Sequence, residues 1–123
     1  MLAAILCGCT VPPPPTPEEL ASASYGDKPK DYRQKIEDAF ETILIEPETA
    51  SFDFDSPEQG WGPARGKNLF GWVVWTRVNS KNRFGEFAGW RDFKVLMADD
   101  EVVGIYRERG TGPSGNPIYE RLF

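Results

Sequence analysis

The stretch Gly71–Arg107, GWVVWTRVNSKNRFGEFAGWRDFKVLMADDEVVGIYR, leaves this chain the fewest choices of fold. It holds three runs of β-branched and aromatic residues, separated by two turn-forming clusters. In the first run, Gly71–Asn79, residues Trp72, Val74, Thr76 and Val78 point one way, and Val73, Trp75, Arg77 and Asn79 the other. That period-two alternation is the signature of a strand. Both sides are apolar around Val73–Trp75, which predicts a central strand whose far face is at least partly covered. Ser80–Gly85 (SKNRFG) follows. Its Ser, Asn and Gly residues predict a hairpin loop longer than two residues, with Gly85 in an unusual backbone conformation. The second run is Glu86–Met97, in which Gly89 marks a bulge or bend and Phe93, Val95 and Met97 share a face. Ala98–Glu101 is a tight polar turn before the third run, Val102–Arg107. Short polar connections require antiparallel neighbours. The result is a meander that still needs something packed on its apolar face.

The chain supplies that partner upstream. Over Lys30–Ile45, residues Tyr32, Ile36, Ala39, Phe40, Ile43 and Leu44 form one helical stripe, and Arg33, Lys35, Glu37, Asp38 and Glu41 fill the other side. Pro29 suits the first turn, and Pro47 ends the helix. Ser51–Asp55 (SFDFD) reads as a short edge strand, its interleaved acids discouraging aggregation. The expected fold class is therefore α+β: one N-terminal helix packed on a four-stranded antiparallel sheet, within a globular domain spanning 29–107. Ser56–Asn68 reads as a Gly/Pro-rich loop with Trp61 as its anchor, and 108–123 as a C-terminal tail.

Residues 10–28 read as a flexible tether. Pro12–Pro15 and Pro17 favour extended polyproline II, and Glu18–Ser24 adds small and polar residues that cannot build a core. Before it stands MLAAILCGCT, whose apolar run is far too short to span a bilayer. Leu6-Cys7-Gly8-Cys9 resembles the lipobox of bacterial lipoproteins. The resemblance implies that residues 1–9 are the remnant of a signal peptide, with Cys9 the lipidated first residue of the mature protein. Cys7 would leave with the signal. Secretory signals carry a basic n-region and a longer apolar core. No Lys or Arg precedes Cys9, which leaves two alternatives open: the true start lies upstream of Met1, or the likeness is accidental. Thr10 follows Cys9, where an aspartate would imply inner-membrane retention. The location implied is the bacterial cell envelope, on the periplasmic side of the outer membrane. The segments EPETASF and WVVWTRVNSKNRFGEFAGW, then a strand–turn–strand ending, resemble a group of small uncharacterised bacterial lipoproteins. Glu86 replaces the second glycine of that group's central pattern. No activity follows from this likeness.

The residues themselves argue against catalysis. There is no histidine, and both cysteines lie at or before residue 9. The commonest general base and the thiol nucleophile are thus missing from the domain. GPARGKN (62–68) has the wrong spacing for a phosphate loop. Asp53 and Asp55 read as an exposed strand face, and Asp99-Asp100-Glu101 lacks the spacing and glycine of a calcium loop. No metal and no cofactor is expected. The formal net charge of −5 argues against nonspecific nucleic-acid binding. It is unevenly spread: residues 16–60 hold 12 acids and 4 bases, and residues 61–123 hold 7 acids and 10 bases.

What remains is recognition. Lys81 and Arg83 beside Phe84 and Phe87 suit an acidic or amphipathic partner, since charge steers encounter and rings supply buried area. The alternative is that both rings pin the hairpin to the core. Trp61 and Trp90 extend the candidate surface, whereas Trp72 and Trp75 read as core. The expected function is a lipid-anchored, non-enzymatic binding or assembly module of the envelope, with an envelope protein as partner. The alternative is an inhibitor or immunity protein against a cell-wall enzyme.

Overall fold

A single long strand carries the sheet. The computed structural model describes residues 12–64, 66–113, 115 and 117–123. Two short helices, α1 (Pro17–Ser22) and α2 (Tyr32–Phe40), precede the strands β1 (Glu46–Phe54), β2 (Glu58–Ala64), β3 (Lys67–Lys81), β4 (Arg91–Ala98), β5 (Glu101–Thr111) and β6 (Pro117–Arg121). All pairings are antiparallel, in the order β1-β3-β4-β5-β6. β3 is long enough to hold two partners end to end on one edge. Its second half pairs with β1 (Phe54 opposite Thr76), and its first half with β2 (Glu58 opposite Val73).

Each face of β3 has its own core, as the apolar run around Val73–Trp75 requires. Val74 and Val78, with Phe93, Val95, Met97 and Ile105, bury against Ile36, Ala39 and Phe40 of α2. The Phe40 ring is edge-on to Phe93 (5.0 Å) and Phe52 (5.6 Å). On the opposite face Val73, Leu96 and Tyr106 form a second cluster, flanked by Leu69, Trp75, Val103 and Tyr119. There the sheet curls so that β2 reaches back over β5: the Tyr106 hydroxyl donates to the Pro63 carbonyl at 2.8 Å. Asp99 and Asp100 both take positive φ (53° and 66°) in the two-residue link between β4 and β5, the geometry of a hairpin turn that matches strand twist.

The expectation of one helix on a four-stranded sheet is corrected. The described residues form a mostly β protein, a six-stranded antiparallel open sheet with only two short helices. The two additional strands come from segments read as loop and tail. EQGWGPA has the glycine and proline content of a loop, but β2 needs to pair on one side only, so Pro63 sits opposite Asn68 without breaking a ladder on the other. Pro117–Arg121 likewise adds to the β5 edge, pinned by Arg107 and Arg109 on Glu120 at 2.6 and 3.0 Å. The helix expected over 30–45 is shorter. It starts after Asp31, which has positive φ (51°), and is followed after Phe40 by a turn in which Leu44 N–H donates to the Phe40 carbonyl. β1 then begins at Glu46, before the proline expected to stop the helix.

Candidate functional site

The connection between β3 and β4 is built by its own backbone and two asparagines. Asn82 N–H donates to the Glu86 carbonyl (2.8 Å), and Gly85 N–H to the Asn82 carbonyl (3.0 Å). The Asn82 side-chain oxygen accepts from the N–H groups of Phe84 and Glu86 (2.9 and 3.2 Å). Gly85 takes the left-handed conformation expected of it, with φ of 78°. Gly89, expected as a bulge or bend within the run Glu86–Met97, instead lies in the loop before β4, donating its N–H to the Asn79 side-chain oxygen at 3.1 Å. The Lys81–Phe87 bridge and the Ala88 N–H bond to Ser80 complete the frame.

Because polar contacts set the loop's shape, its rings are not needed to hold it. Phe84 is 74% exposed, Phe87 57% and Trp90 54%, so they do not pin the hairpin to the core. Each cation lies along a neighbouring ring: Lys81 Nζ is 5.5 Å from the Phe87 centroid, and Arg83 Cζ 5.3 Å from that of Phe84. Such pairs are worth about 0.5–1 kcal/mol at exposed sites and keep the apolar and charged parts of the surface together.

The end of the sheet widens this surface. Ile45, 63% exposed, borders a cleft of about 290 Å³ between the α2–β1 turn and the hairpin, with Lys81, Arg91, Arg107 and Leu122 also on its walls. No carboxylate lines the cleft, although Arg107 is taken up by Glu120. The structure thus brings together Lys81, Arg83, Phe84, Phe87 and Trp90, with Arg91 beside them, and adds Ile45. Ile45 was read as the last helical residue rather than as surface. Its place outside the helix's apolar stripe, just before Pro47, was the available signal.

Trp61 is not part of this end. It sits in β2 opposite Phe70, whereas β4 begins with Arg91 opposite Val78, roughly 25 Å further along β3 at strand rise. There Lys94 Nζ lies 5.0 Å from the Trp61 ring and 5.5 Å from that of Tyr119, and burial lowers the pKa of its ammonium. Trp75 donates its indole N–H to Glu58 at 3.0 Å. These contacts give both tryptophans structural work on the curled face. Two of the carboxylates with candidate chemistry, Asp53 and Asp100, are occupied by cations. Asp53 pairs with Arg77. Asp100 accepts from Lys35 Nζ and from the Lys30 N–H, which hold its carboxyl below the usual range.

Among the described residues no group of three or more His, Cys, Asp or Glu side chains is placed to hold a metal ion, and no helix is long and apolar enough to cross a membrane. Cys7 and Cys9 lie outside the described residues. Comparison of the chain with protein-family models, with curated proteins and with solved structures finds no match.

Proposed function

We propose that this chain is a lipid-anchored binding or assembly module of the bacterial cell envelope, without catalytic activity, whose contact surface is the β3–β4 hairpin end. One observation carries the reading. Of the six large hydrophobic side chains exposed among the described residues, Ile45, Phe84, Phe87 and Trp90 stand at this end, beside Lys81, Arg83 and Arg91. Exposed apolar side chains gathered among charges mark an interaction site, and aromatic and arginine residues supply most interface energy. The cations and the single loop acid, Glu86, favour an acidic partner surface with an apolar recess.

The anchor rests on the lipobox-like Leu6–Cys9 and places the domain at the periplasmic side of the outer membrane. Cys9→Ser is expected to move the protein from the membrane to the soluble fraction, because acyl chains supply the attachment. Mass spectrometry of the chain from its native host showing an unmodified, uncleaved N-terminus would contradict the anchor and the location together.

A second reading draws on the same hairpin. Phe84 at its tip is the most exposed large hydrophobic of the described residues, a shape suited to insertion into an enzyme cleft. The chain would then be an inhibitor or immunity protein. Affinity capture from an envelope extract separates the two: a structural complex supports the assembly module, and a cell-wall hydrolase inhibited by the chain supports the inhibitor.

A further inference from the structure

The segment before α2 was expected to run free, yet it lies against the sheet. α1 opens with a reciprocal cap, Glu19 N–H donating to Thr16 Oγ1 (3.1 Å) and Thr16 N–H to Glu19 Oε1 (2.8 Å). The Tyr25 hydroxyl donates back to the Leu20 carbonyl at 2.9 Å, and its ring meets Phe70 edge-on at 5.9 Å. Asn68 Nδ2 donates to the Pro13 carbonyl (2.7 Å), and Trp72 Nε1 to the Gly26 carbonyl (3.1 Å). Asn68, Phe70 and Trp72 alternate along β3, so one face of its first half grips the segment at three points. Pro29 is buried, and Lys30 N–H on Asp100 (2.8 Å) closes the path into α2.

We propose that residues 12–28 are a docked strap that fixes how the domain stands on its anchor. The β2–β3 turn is held at the lipid end, and the aromatic hairpin faces away from the anchoring bilayer, toward an acidic protein surface. The inference rests on lipid attachment at Cys9 and adds orientation and the kind of partner. Pro13 is the fourth residue after Cys9, a reach of at most about 14 Å. Asn68 and Ser80 lie at opposite ends of β3, a path of up to about 40 Å at strand rise. Screening confines the pull of anionic headgroups to about 8 Å at physiological salt. With β3 upright on the strap, as proposed, Lys81, Arg83 and Arg91 stand beyond the field of the membrane that holds the chain. Their charge complements a macromolecule that meets the domain from the far side.

The test uses the lipidated protein, in which Cys9 is blocked and Cys7 is removed with the signal. A single new thiol is placed at the strap end (Lys67→Cys) or at the hairpin tip (Phe84→Cys) and labelled with a fluorescent donor. The protein is then reconstituted in phosphatidylethanolamine–phosphatidylglycerol vesicles carrying an acceptor on the headgroups. Strong transfer from position 67 and its loss at position 84 are expected. Tyr25→Ala with Asn68→Ala and Trp72→Phe, which removes all three grips of β3 on the strap, should restore transfer at 84 as the domain tumbles. Equal transfer from both positions in a chain shown by mass spectrometry to carry its lipid would overturn the orientation while leaving the anchor intact. An unlipidated native chain would overturn both. Two results on the chain without lipid also overturn the proposal: a Trp72 indole N–H that exchanges freely although it is bonded to the Gly26 carbonyl, or Phe84-dependent binding to the same vesicles, which would make the bilayer the hairpin's partner.

Discussion

Phe40→Ala is expected to lower the unfolding free energy by about 3–5 kcal/mol, the range for removing a large aromatic from a packed core. Phe40 is fully buried, and its ring is the point where α2 meets both the edge strand, through Phe52, and the central pair, through Phe93. With only nine residues, α2 has little stability of its own, so its attachment depends on this face. Truncating the ring removes transfer free energy and leaves a cavity between elements that cannot easily close. The comparison is Lys35→Ala on the same helix. Lys35 pairs with Asp100, but both side chains are substantially exposed (34% and 50%), and such pairs are worth about 0.2–1 kcal/mol. Denaturant midpoints of the two variants should therefore separate clearly. Equal shifts would mean that α2 is not seated on the sheet through Phe40.

Gly71→Ala is expected to cost about 1–3 kcal/mol or more through overpacking, although it adds one methyl group. A Cβ at Gly71 would overlap the Met97 carbonyl oxygen and come within 3.2 Å of the Met97 carbonyl carbon and 3.4 Å of Ala98 Cβ. A flexible side-chain end can swing aside, whereas a backbone carbonyl inside the β3–β4 ladder cannot move without breaking register. Ser51→Ala, at an exposed position on β1, should by contrast stay within about 0.5 kcal/mol. Hydrogen exchange should show the Gly71→Ala loss concentrated in the β3–β4 amides next to Trp72 and Met97. Stability equal to that of the unaltered chain would place β3 and β4 in a different register.

The three strands of the 71–107 stretch and the apolar face of α2 were legible because their patterns are local. Alternation at Trp72–Val78 and the stripe through Ile36, Ala39 and Phe40 each carry their own period. β2 and β6 were not legible, because Gly60, Gly62, Pro63 and Pro117 carry loop chemistry, and what makes them strands is pairing on one side with β3 and β5. The strap was hidden for a related reason. Its composition is that of a linker, and its hold comes from Asn68, Phe70 and Trp72, more than forty residues further on. At the hairpin, sequence named the residues but left open whether Phe84 and Phe87 face in or out. The Asn82 and Asn79 hydrogen bonds settle that, since they hold the loop without the rings. Trp61 and Trp90 look alike in sequence, each next to glycine, and only the register of β2 and β4 on β3 separates them, leaving Trp61 half-buried and Trp90 exposed.

The double change Lys81→Ala, Arg83→Ala bears most directly on the claim that the hairpin end is the contact surface. The side chains of Lys81 and Arg83 lose only their ring contacts with Phe87 and Phe84, and the backbone bonds of Lys81 are kept, so by denaturant midpoint the variant should retain the stability of the unaltered chain to within about 1 kcal/mol. Captured from an envelope extract at low salt, the partner should be lost from the variant, and raising the salt should reproduce that loss with the unaltered chain, because exposed charges are screened. Undiminished recovery of the partner by the folded variant at low salt would contradict the claim.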